Sequence, residues 1–214
     1  MKQINLQQTL PGVFADRNTI QSDVWHQDLT FHKEKYYLIE AESGGGKSSL
    51  CSYIYGYRND YQGLITFDGQ NIKQNTIKEW IHLRKTSISL LFQELRLFPE
   101  LTALENVLLK NKLTHYKKNS EIRQLFQQLD IEEKLHEKVG KLSFGQQQRV
   151  AFIRALCQPL DFILLDEPVS HLDDTNNKRM SQLLLDEAQA QGCGVIVTSI
   201  GKPLELPYHE TLKL

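Results

Sequence analysis

A run of three glycines stands between two apolar stretches in EAESGGGKSSL, residues 40–50, and it constrains the fold more than any other feature. The preceding KYYLIE (35–40) is rich in aromatic and branched residues, which predicts a buried strand, and a helix is predicted to begin near Lys47. A buried strand, a tight turn and a helix N-terminus therefore follow one another directly. This order is typical of an α/β sheet and is not expected of a flexible spacer.

The same order predicts a cradle for phosphate. Glycines let successive backbone N–H groups point inward, and the helix N-terminus adds partial positive charge at the same point. Lys47 can then reach the β- and γ-phosphates of a nucleotide, and the Ser48 hydroxyl can ligate Mg²⁺. The residues expected to bind the nucleotide are Ser43, Gly44, Gly45, Gly46, Lys47, Ser48 and Ser49. A flexible glycine turn without a ligand is the alternative.

One residue departs from the phosphate-loop pattern G-x-x-x-x-G-K-[ST]. Ala41 stands where the pattern has its first glycine. Alanine can serve there if its φ angle is negative, because alanine at positive φ costs on the order of 1 kcal/mol or more. We therefore expect a negative φ at Ala41 and an intact cradle.

Two acids follow a second apolar run, in FILLDEP (162–168). The carboxyl ends of parallel strands line the ligand crevice of an α/β sheet, so we expect Asp166 in a metal shell and Glu167 near a γ-phosphate. A glutamate within hydrogen-bond reach can orient an attacking water and accept its proton. A strand that simply turns at Asp-Glu-Pro is the alternative, and the presence of a phosphate cradle weighs against it.

Other patterns predict the fold class. Strands are expected in SISLLF (87–92), FILL (162–165) and GVIVTS (194–199), and a hairpin around Asp68 and Gly69 in GLITFDGQNI (63–72). Helical periodicity is clearest in residues 121–131, 143–157 and 178–191. Strands that alternate with helices predict one α/β domain with parallel strands, about 1–93 and 161–214, and the strand-poor block of about 94–160 predicts an inserted helical subdomain.

Composition excludes several classes of function. With 25 basic and 26 acidic residues the net charge is −1, so no bulk field favours nucleic acid or an anionic membrane. The apolar runs are far shorter than the roughly 18 residues of a membrane span, and the first residues lack the apolar core of a secretory signal. A soluble, cytoplasmic protein is expected. Cys51, Cys157 and Cys193 are not spaced as metal ligands and are expected to be buried thiols.

Between the cradle and the acidic strand stands LSFGQQQRVAFIRAL (142–156), and with it nearly the entire chain resembles the ATP-binding-cassette (ABC) ATPases. In family terms AESGGGKSS (41–49) is similar to the Walker A loop, Gln93 to the Q-loop and LSFGQ (142–146) to the signature. FILLDEP is similar to the Walker B strand and SHLD (170–173) to the D-loop, in the family's order and spacing. LFPELTALENV (97–107) resembles the small stand-alone bacterial subunits of the lipoprotein-release, cell-division and macrolide-export type.

The resemblance implies a P-loop NTPase core, ATP and Mg²⁺ as ligands, and ATP hydrolysis. It further implies a second ATPase subunit, expected to be an identical copy, and a separate integral membrane permease that holds the pair on the inner face of the cell membrane. No nucleic-acid partner is expected. The transported cargo would contact the permease, so this sequence does not name it.

The resemblance also assigns roles to single residues. Ser143, Gly145 and Gln146 would contact the γ-phosphate held by the other subunit, with Ser143 capping the helix that follows; a capped helix without a ligand is the alternative. Gln93 would contact Mg²⁺ or the attacking water, and a surface glutamine is the alternative. Asp173 would lie at the dimer seam or simply cap a helix.

Three positions need separate expectations. Ser199 stands where the family carries a histidine; a serine carries no charge, so stabilisation at the γ-phosphate should weaken, and losing one such donor lowers rates by roughly 10² to 10³. A slow, nucleotide-gated regulatory subunit without transport is therefore the second functional hypothesis.

Phe144 replaces a signature glycine and should be tolerated, because the backbone supplies the anion site. Phe14 is expected to stack on adenine, with a ring in the core as the alternative.

Overall fold

Nine strands form two sheets in the computed structural model, which describes residues 1–16, 21–169 and 172–214. The strands are β1 (Gln3–Pro11), β2 (Asp28–His32), β3 (Tyr36–Glu40), β4 (Tyr61–Phe67), β5 (Gln70–Asn71), β6 (Ile88–Leu91), β7 (Phe162–Asp166), β8 (Gly194–Ser199) and β9 (Glu210–Lys213). One sheet is parallel, in the order β6-β7-β8-β3-β9. The other is antiparallel, in the order β2-β1-β4-β5.

Six α-helices accompany these strands within the described ranges. They are α1 (Lys47–Ile54), α2 (Ile77–Thr86), α3 (Ala103–Asn111), α4 (Asn119–Gln128), α5 (Phe144–Leu156) and α6 (Asp174–Gln191). Helices α3, α4 and α5 lie between β6 and β7 along the chain, where the sequence predicts a helical insertion. The boundaries of that subdomain, about 94 and 160, stay a prediction. In the described part of the chain no helix combines the length and apolar character needed to cross a membrane.

Strand β7 illustrates how the parallel sheet is buried on both faces. All five of its residues are buried. Phe162 and Leu164 pack with apolar residues of α1 and the antiparallel sheet, whereas Ile163 and Leu165 pack with apolar residues of α3 to α6. Successive side chains of a strand point to opposite faces, so a strand covered on both sides needs an uninterrupted apolar run.

The register of the parallel sheet brings several strand ends to one edge. Glu40 lies opposite Ser199 in the pair of β3 and β8, and Asp166 lies opposite Thr198 in the pair of β7 and β8. The carboxyl ends of parallel strands meet at the same edge of a sheet. The glycine loop after β3 and the residue that follows Asp166 therefore start from neighbouring points.

Most predicted elements are confirmed. The predicted strands are β3, β6, β7 and β8, and β4 and β5 form the predicted hairpin. The predicted helices are α4, α5 and α6, although α4 ends at Gln128, before the predicted end at 131. The sequence patterns did not predict β1, β2, α2 or α3. Helix α2 has no buried residue, and its apolar residues Ile77 and Ile81 are 79% and 53% exposed.

Candidate functional site

A cavity of about 300 Å³ opens at this edge of the parallel sheet, beside the first turn of α1. Most residues predicted to bind or act on a nucleotide line it, namely Phe14, Ser43, Gly44, Gly46, Lys47, Ser48, Ser49, Gln93 and Glu167. Val13 and Ile200, which were not predicted, also belong to its wall. The fold thus gathers segments that are far apart in the sequence around one space.

The last glycine of the loop sets the direction in which α1 begins. Gly46 caps the helix with φ 97°, in the left-handed region that favours glycine. A side-chain carbon added there would lie 3.0 Å from the Trp25 ring and 3.1 Å from the Phe14 ring. The backbone is pressed against two aromatic rings at this point, and a larger residue would have to displace them.

Ala41 and Gly45 share one small space at the base of the loop. Ala41 is not among the described residues with positive φ, which confirms the expectation for this departure from the phosphate-loop pattern. A carbon added at Gly45 would lie only 2.9 Å from the Ala41 side chain and 3.3 Å from the Glu42 carbonyl oxygen. The Ala41 methyl group, which the glycine of the usual pattern lacks, therefore fits here only because residue 45 is a glycine without a side chain.

Trp25 supports the loop from the protein interior, and sequence reasoning missed this role. Trp25 is 1% exposed, and its indole N–H donates a hydrogen bond to the Gly45 carbonyl oxygen at 3.1 Å. The bond fixes the orientation of the peptide that joins Gly45 to Gly46. No local pattern signals the contact, because two strands separate Trp25 from the loop along the chain.

Lys47, Gln93 and Glu167 converge at the cavity. The Lys47 ammonium is 3.6 Å from Glu167 Oε1, and Gln93 Nε2 donates to Glu167 Oε2 at 3.4 Å. Lys47 also donates to the carbonyl oxygens of Ala41 and Glu42, each at 3.0 Å. Only 11% of the Glu167 side chain is exposed, so its carboxylate interacts mainly with Lys47 and Gln93. A cation, an amide and a carboxylate thus face one small space.

The backbone of Glu167 has an uncommon conformation, with φ 51°. Its N–H donates to the Thr198 carbonyl oxygen at 3.1 Å, and its own carbonyl oxygen accepts from Gln148 Nε2 at 3.4 Å. A non-glycine residue in this region costs on the order of 1–3 kcal/mol, and such residues concentrate at functional sites. The two hydrogen bonds hold Glu167 in a conformation that directs it to the cavity.

Asp166 lies at the end of β7, directly before Glu167. Its buried carboxylate accepts a 2.7 Å hydrogen bond from the Thr198 hydroxyl. The other predicted metal ligands, Ser48 and Gln93, line the cavity. A carboxylate, a hydroxyl and an amide oxygen are hard oxygen ligands of the kind that Mg²⁺ prefers, so this donor set fits the ion. Among the described residues no cluster of three His, Cys, Asp or Glu side chains offers another metal site.

Ser199 lies at the same edge but in a different environment. Ser199 is 4% exposed, and its hydroxyl donates to the Lys202 carbonyl oxygen at 3.1 Å. It lines a second cavity of about 300 Å³ together with residues 40–42. At this turn Ile200, rather than Ser199, belongs to the wall of the first cavity. The described structure therefore does not bring Ser199 together with Glu167.

Phe14, the predicted adenine platform, belongs to the cavity wall but packs largely into the core. It is 6% exposed and forms part of the apolar cluster that includes α1 and the antiparallel sheet. Its neighbour Val13 is 69% exposed at the same wall. A stacking role for Phe14 stays a prediction, and Val13 adds an apolar surface that a base can contact.

The signature residues lie on the first turn of α5 and do not line the described wall of this cavity. Ser143 caps the helix as predicted: its hydroxyl accepts from the Gln146 N–H at 3.4 Å, and Gln146 Oε1 accepts from the Ser143 N–H at 3.0 Å. Phe144, beside Gly145, is 46% exposed. A capped helix N-terminus with partial positive charge is thus present at the surface.

Asp173 caps α6, because one of its carboxylate oxygens accepts a 2.8 Å hydrogen bond from the Asn176 N–H. Hydrogen bonds from the backbone and side chain of Asn176 lower the pKa of Asp173 below its usual value. Capping is therefore one role of this acid. Ser170 and His171, from the predicted D-loop segment, lie outside the described residues.

Comparisons with known proteins agree on one family. The family model described as ABC transporter matches residues 25–170. An uncharacterised ABC transporter ATP-binding protein of Bacillus subtilis (strain 168) is 35% identical over 176 residues, which cover 80% of this chain and 76% of the relative. The lipoprotein-releasing system ATP-binding protein of Aquifex aeolicus (strain VF5) is 34% identical over 190 residues, which cover 87% of this chain and 84% of the relative.

Solved structures agree with the sequence comparisons. The dimeric structure of a bacterial ABC transporter cassette matches this chain with a TM-score of 0.78 and 27% identity, covering 92% of this chain and 87% of that chain. A dimeric post-hydrolysis state of the same cassette, bound to ADP and Pi, matches with a TM-score of 0.77 and 26% identity. The expected fold class, a P-loop NTPase core with a parallel sheet, is confirmed.

Proposed function

The chain belongs to the ABC transporter family, and we propose that it is an ATP-hydrolysing subunit that pairs with a second copy on ATP and drives a separate membrane permease. The observation that carries this proposal is the convergence of Lys47, Gln93 and Glu167 beside the glycine loop at the start of α1. Such a space suits the phosphate end of a nucleotide, because it combines a helix N-terminus, a cation and a carboxylate.

The glycine loop and the first turn of α1 would bind the phosphates of ATP. Backbone N–H groups of residues 43–49 supply donors, and the helix N-terminus supplies partial positive charge. The Lys47 ammonium, which now donates to two loop carbonyl oxygens, would exchange them for oxygens of the β- and γ-phosphates. Val13 and Phe14 would form the apolar wall beside the base.

Hydrolysis would use the carboxylate of Glu167. In this proposal Glu167 accepts a proton from the attacking water, and Gln93 orients that water. The water oxygen bonds to the γ-phosphorus as the bond to the bridging oxygen breaks, which releases ADP and phosphate. Ser48, Gln93 and Asp166 would hold Mg²⁺, which neutralises charge on the phosphate oxygens when bound.

A second copy would complete the site. Ser143, Gly145 and Gln146 at the N-terminus of α5 would contact the γ-phosphate held by the other copy, since a positive helix end attracts an anion. The bacterial cassette of similar fold is dimeric in both of its structures, which supports this arrangement. The permease would hold the pair on the cytoplasmic face of the membrane, with no role for nucleic acid.

One observation favours a second candidate function. The Ser199 hydroxyl donates to the Lys202 carbonyl oxygen, and among the described residues Ser199 does not line the cavity with Glu167. No charged group therefore stands at this position to stabilise a transition state, and the absence of such a donor lowers rates by roughly 10² to 10³. A subunit that pairs on ATP but turns over slowly would regulate a membrane partner without transport.

The test measures phosphate release and mass in solution for the purified protein, Glu167→Gln and Ser199→His, each with Mg²⁺ and either ATP or ADP. The transport function predicts release that Glu167→Gln abolishes, while ATP traps that variant as a dimer. The regulatory function predicts an ATP-dependent dimer of the unmodified protein with negligible release, and release restored by Ser199→His. A protein that binds no ATP would contradict both.

A further inference from the structure

Helix α2 carries two isoleucines that face solvent. Ile77 is 79% exposed and Ile81 is 53% exposed, although isoleucine is one of the residue types most often fully buried. The two residues are four positions apart, so on a helix of 3.6 residues per turn they lie within about 40° of each other. They form a short apolar ridge along one face of the helix.

A different face of α2 is held firmly to the rest of the protein. Trp80 and Leu83 are half-buried and pack against the apolar cluster that includes α1 and the antiparallel sheet. A side-chain carbon added at Gly56 would lie only 2.2 Å from the Trp80 ring, so the ring is pressed against the backbone there. The Arg84 guanidinium donates to the Tyr55 and Gly56 carbonyl oxygens, at 3.2 and 2.7 Å. These contacts fix which face of α2 is turned outward.

Two lysines stand beside the isoleucine ridge. Lys85 and Lys78 lie about 80° and 100° around the helix from Ile77. Glu79 lies about 200° from Ile77, and its carboxylate accepts from the Thr76 N–H at 2.6 Å in the capping box that begins α2. In the part of the chain that the structure describes, none of the ion pairs includes Lys78 or Lys85. The outer face of α2 therefore combines an apolar ridge with positive charge.

This combination suits the surface of an anionic bilayer better than a protein partner. A standard protein interface buries roughly 800 Å² on each partner, and two aliphatic side chains supply only a small part of that area. At a bilayer the isoleucines would enter the apolar boundary below the headgroups, while the lysine ammonium groups reach lipid phosphates on their flexible stems. The whole chain has a net charge of −1, so this attraction is confined to one face.

We propose that α2 lies on the surface of an anionic lipid bilayer, with Ile77 and Ile81 inserted and Lys78 and Lys85 beside the lipid phosphates. This contact goes beyond the proposed function and rests on it only because the permease brings the subunit to a membrane. Since Trp80 and Arg84 fix α2 to the C-terminal end of α1, the contact would hold the phosphate cradle in one orientation to the bilayer.

Sedimentation of the full chain with lipid vesicles, without nucleotide, measures the contact. Vesicles of phosphatidylcholine alone are compared with equal mixtures of phosphatidylcholine and phosphatidylglycerol. We expect binding to the mixed vesicles to be at least about tenfold tighter, because each lysine near an anionic surface contributes about a factor of five. Added salt should weaken this preference, since the charges are screened.

Paired substitutions test the isoleucines. Ile77→Ser with Ile81→Ser should weaken binding to the mixed vesicles at least about tenfold, because it removes the inserted apolar groups. Both side chains are largely exposed, so the variant should unfold in urea like the unmodified protein. Ile77→Leu with Ile81→Leu keeps the apolar surface and should keep the binding. Val13→Ser removes an exposed aliphatic side chain at another surface and should leave vesicle binding unchanged.

A second pair of substitutions tests the charge. Lys78→Gln with Lys85→Gln should reduce the preference for mixed vesicles to below about threefold. The control, Lys2→Gln with Lys35→Gln, removes two exposed lysines elsewhere in the chain and should leave the preference unchanged. A control pair that lowers the preference as much as the α2 pair would overturn the proposal, because the attraction would then depend only on net charge.

Tryptophan fluorescence locates the contact on the protein. The chain has two tryptophans, Trp25, which is 1% exposed, and Trp80, which directly precedes Ile81. Mixed vesicles with brominated acyl chains quench a tryptophan that lies close to them. We expect quenching in the unmodified protein and none in Trp80→Phe, and equal quenching in both proteins would overturn the proposal.

The remaining outcomes separate this inference from the proposed function. Equal binding to both kinds of vesicle, no binding to either, or binding that survives Ile77→Ser with Ile81→Ser would each overturn the proposal. ATP binding is measured on the same samples. A protein that binds ATP but not the mixed vesicles would contradict this inference alone, and a protein that binds the vesicles as expected but no ATP would contradict the proposed function alone.

Discussion

The substitution Gly45→Ala tests whether Ala41 and Gly45 form a compensating pair. A carbon added at Gly45 would lie 2.9 Å from the Ala41 side chain, well inside the optimum of about 3.5–4.0 Å for two carbon atoms. Neither carbon can rotate away, because each is bonded directly to the backbone. Overpacking of this kind should lower the free energy of unfolding by about 1–3 kcal/mol.

The same substitution should cost much less in an Ala41→Gly background. Without that methyl group the nearest neighbour of the new carbon is the Glu42 carbonyl oxygen at 3.3 Å, a much weaker overlap. Effects of alanine on the unfolded chain occur in both backgrounds and cancel in the comparison. We expect a coupling free energy of about 1–2 kcal/mol between positions 41 and 45.

Urea unfolding of the unmodified protein, the two single variants and the double variant measures this coupling, with circular dichroism as the signal and no nucleotide present. Ser43→Ala, on the exposed part of the same loop, serves as the control and should be additive with Ala41→Gly. ATP affinity of the same proteins shows whether the overlap reaches the cavity. A Gly45→Ala cost that is the same in both backgrounds, within about 0.5 kcal/mol, would refute the steric reasoning.

Three further predictions concern separate parts of the structure. Trp25→Phe keeps a ring but removes the N–H that binds the Gly45 carbonyl oxygen, so calorimetry should show weaker ATP binding and urea unfolding a loss of about 1–3 kcal/mol. Lys110→Met should be more stable than the unmodified protein at pH 7 by about 1–3 kcal/mol. The pKa of Lys110 is lowered to about 8, so the unfolded chain binds more protons between pH 8 and the ordinary value of 10.5, and the variant's advantage should shrink as pH rises through that window. Ser143→Ala and Thr102→Ala each remove a capping hydroxyl and should each cost about 1 kcal/mol, but light scattering should show that only Ser143→Ala weakens the ATP-dependent dimer.

Elements with a strong local pattern could be predicted from the sequence. Strand β7 packs on both faces, so its apolar run is continuous and easily recognised. Strand β2 spans five residues with a single buried one, Phe31, and helix α2 has none, so neither carries a long apolar run. The hydroxyl cap at Ser143 was predicted because capping depends on residues only three positions apart.

The same distinction applies to the candidate site: some of its residues follow from local sequence patterns, and others only from tertiary packing. The glycine loop and the acids after β7 could be predicted to share one edge of a sheet, because parallel strands place their carboxyl ends together. The sequence did not reveal that Ser199 donates to the Lys202 carbonyl oxygen and that Ile200 lines the cavity instead. A turn after a strand can present either of two successive residues, and packing around the turn selects one of them.

The sequence by itself determined the glycine cradle, the strands that flank it and the capped helix of the signature, because each depends on backbone preferences and side-chain periodicity within a few residues. Only the tertiary structure placed the Trp25 indole N–H beside the Gly45 carbonyl oxygen and the Ala41 methyl group beside Gly45, which has no side chain. It also brought basic side chains of three helices together. These contacts join segments that are distant in the chain. Their geometry depends on how strands and helices pack against each other, and no local pattern encodes that packing.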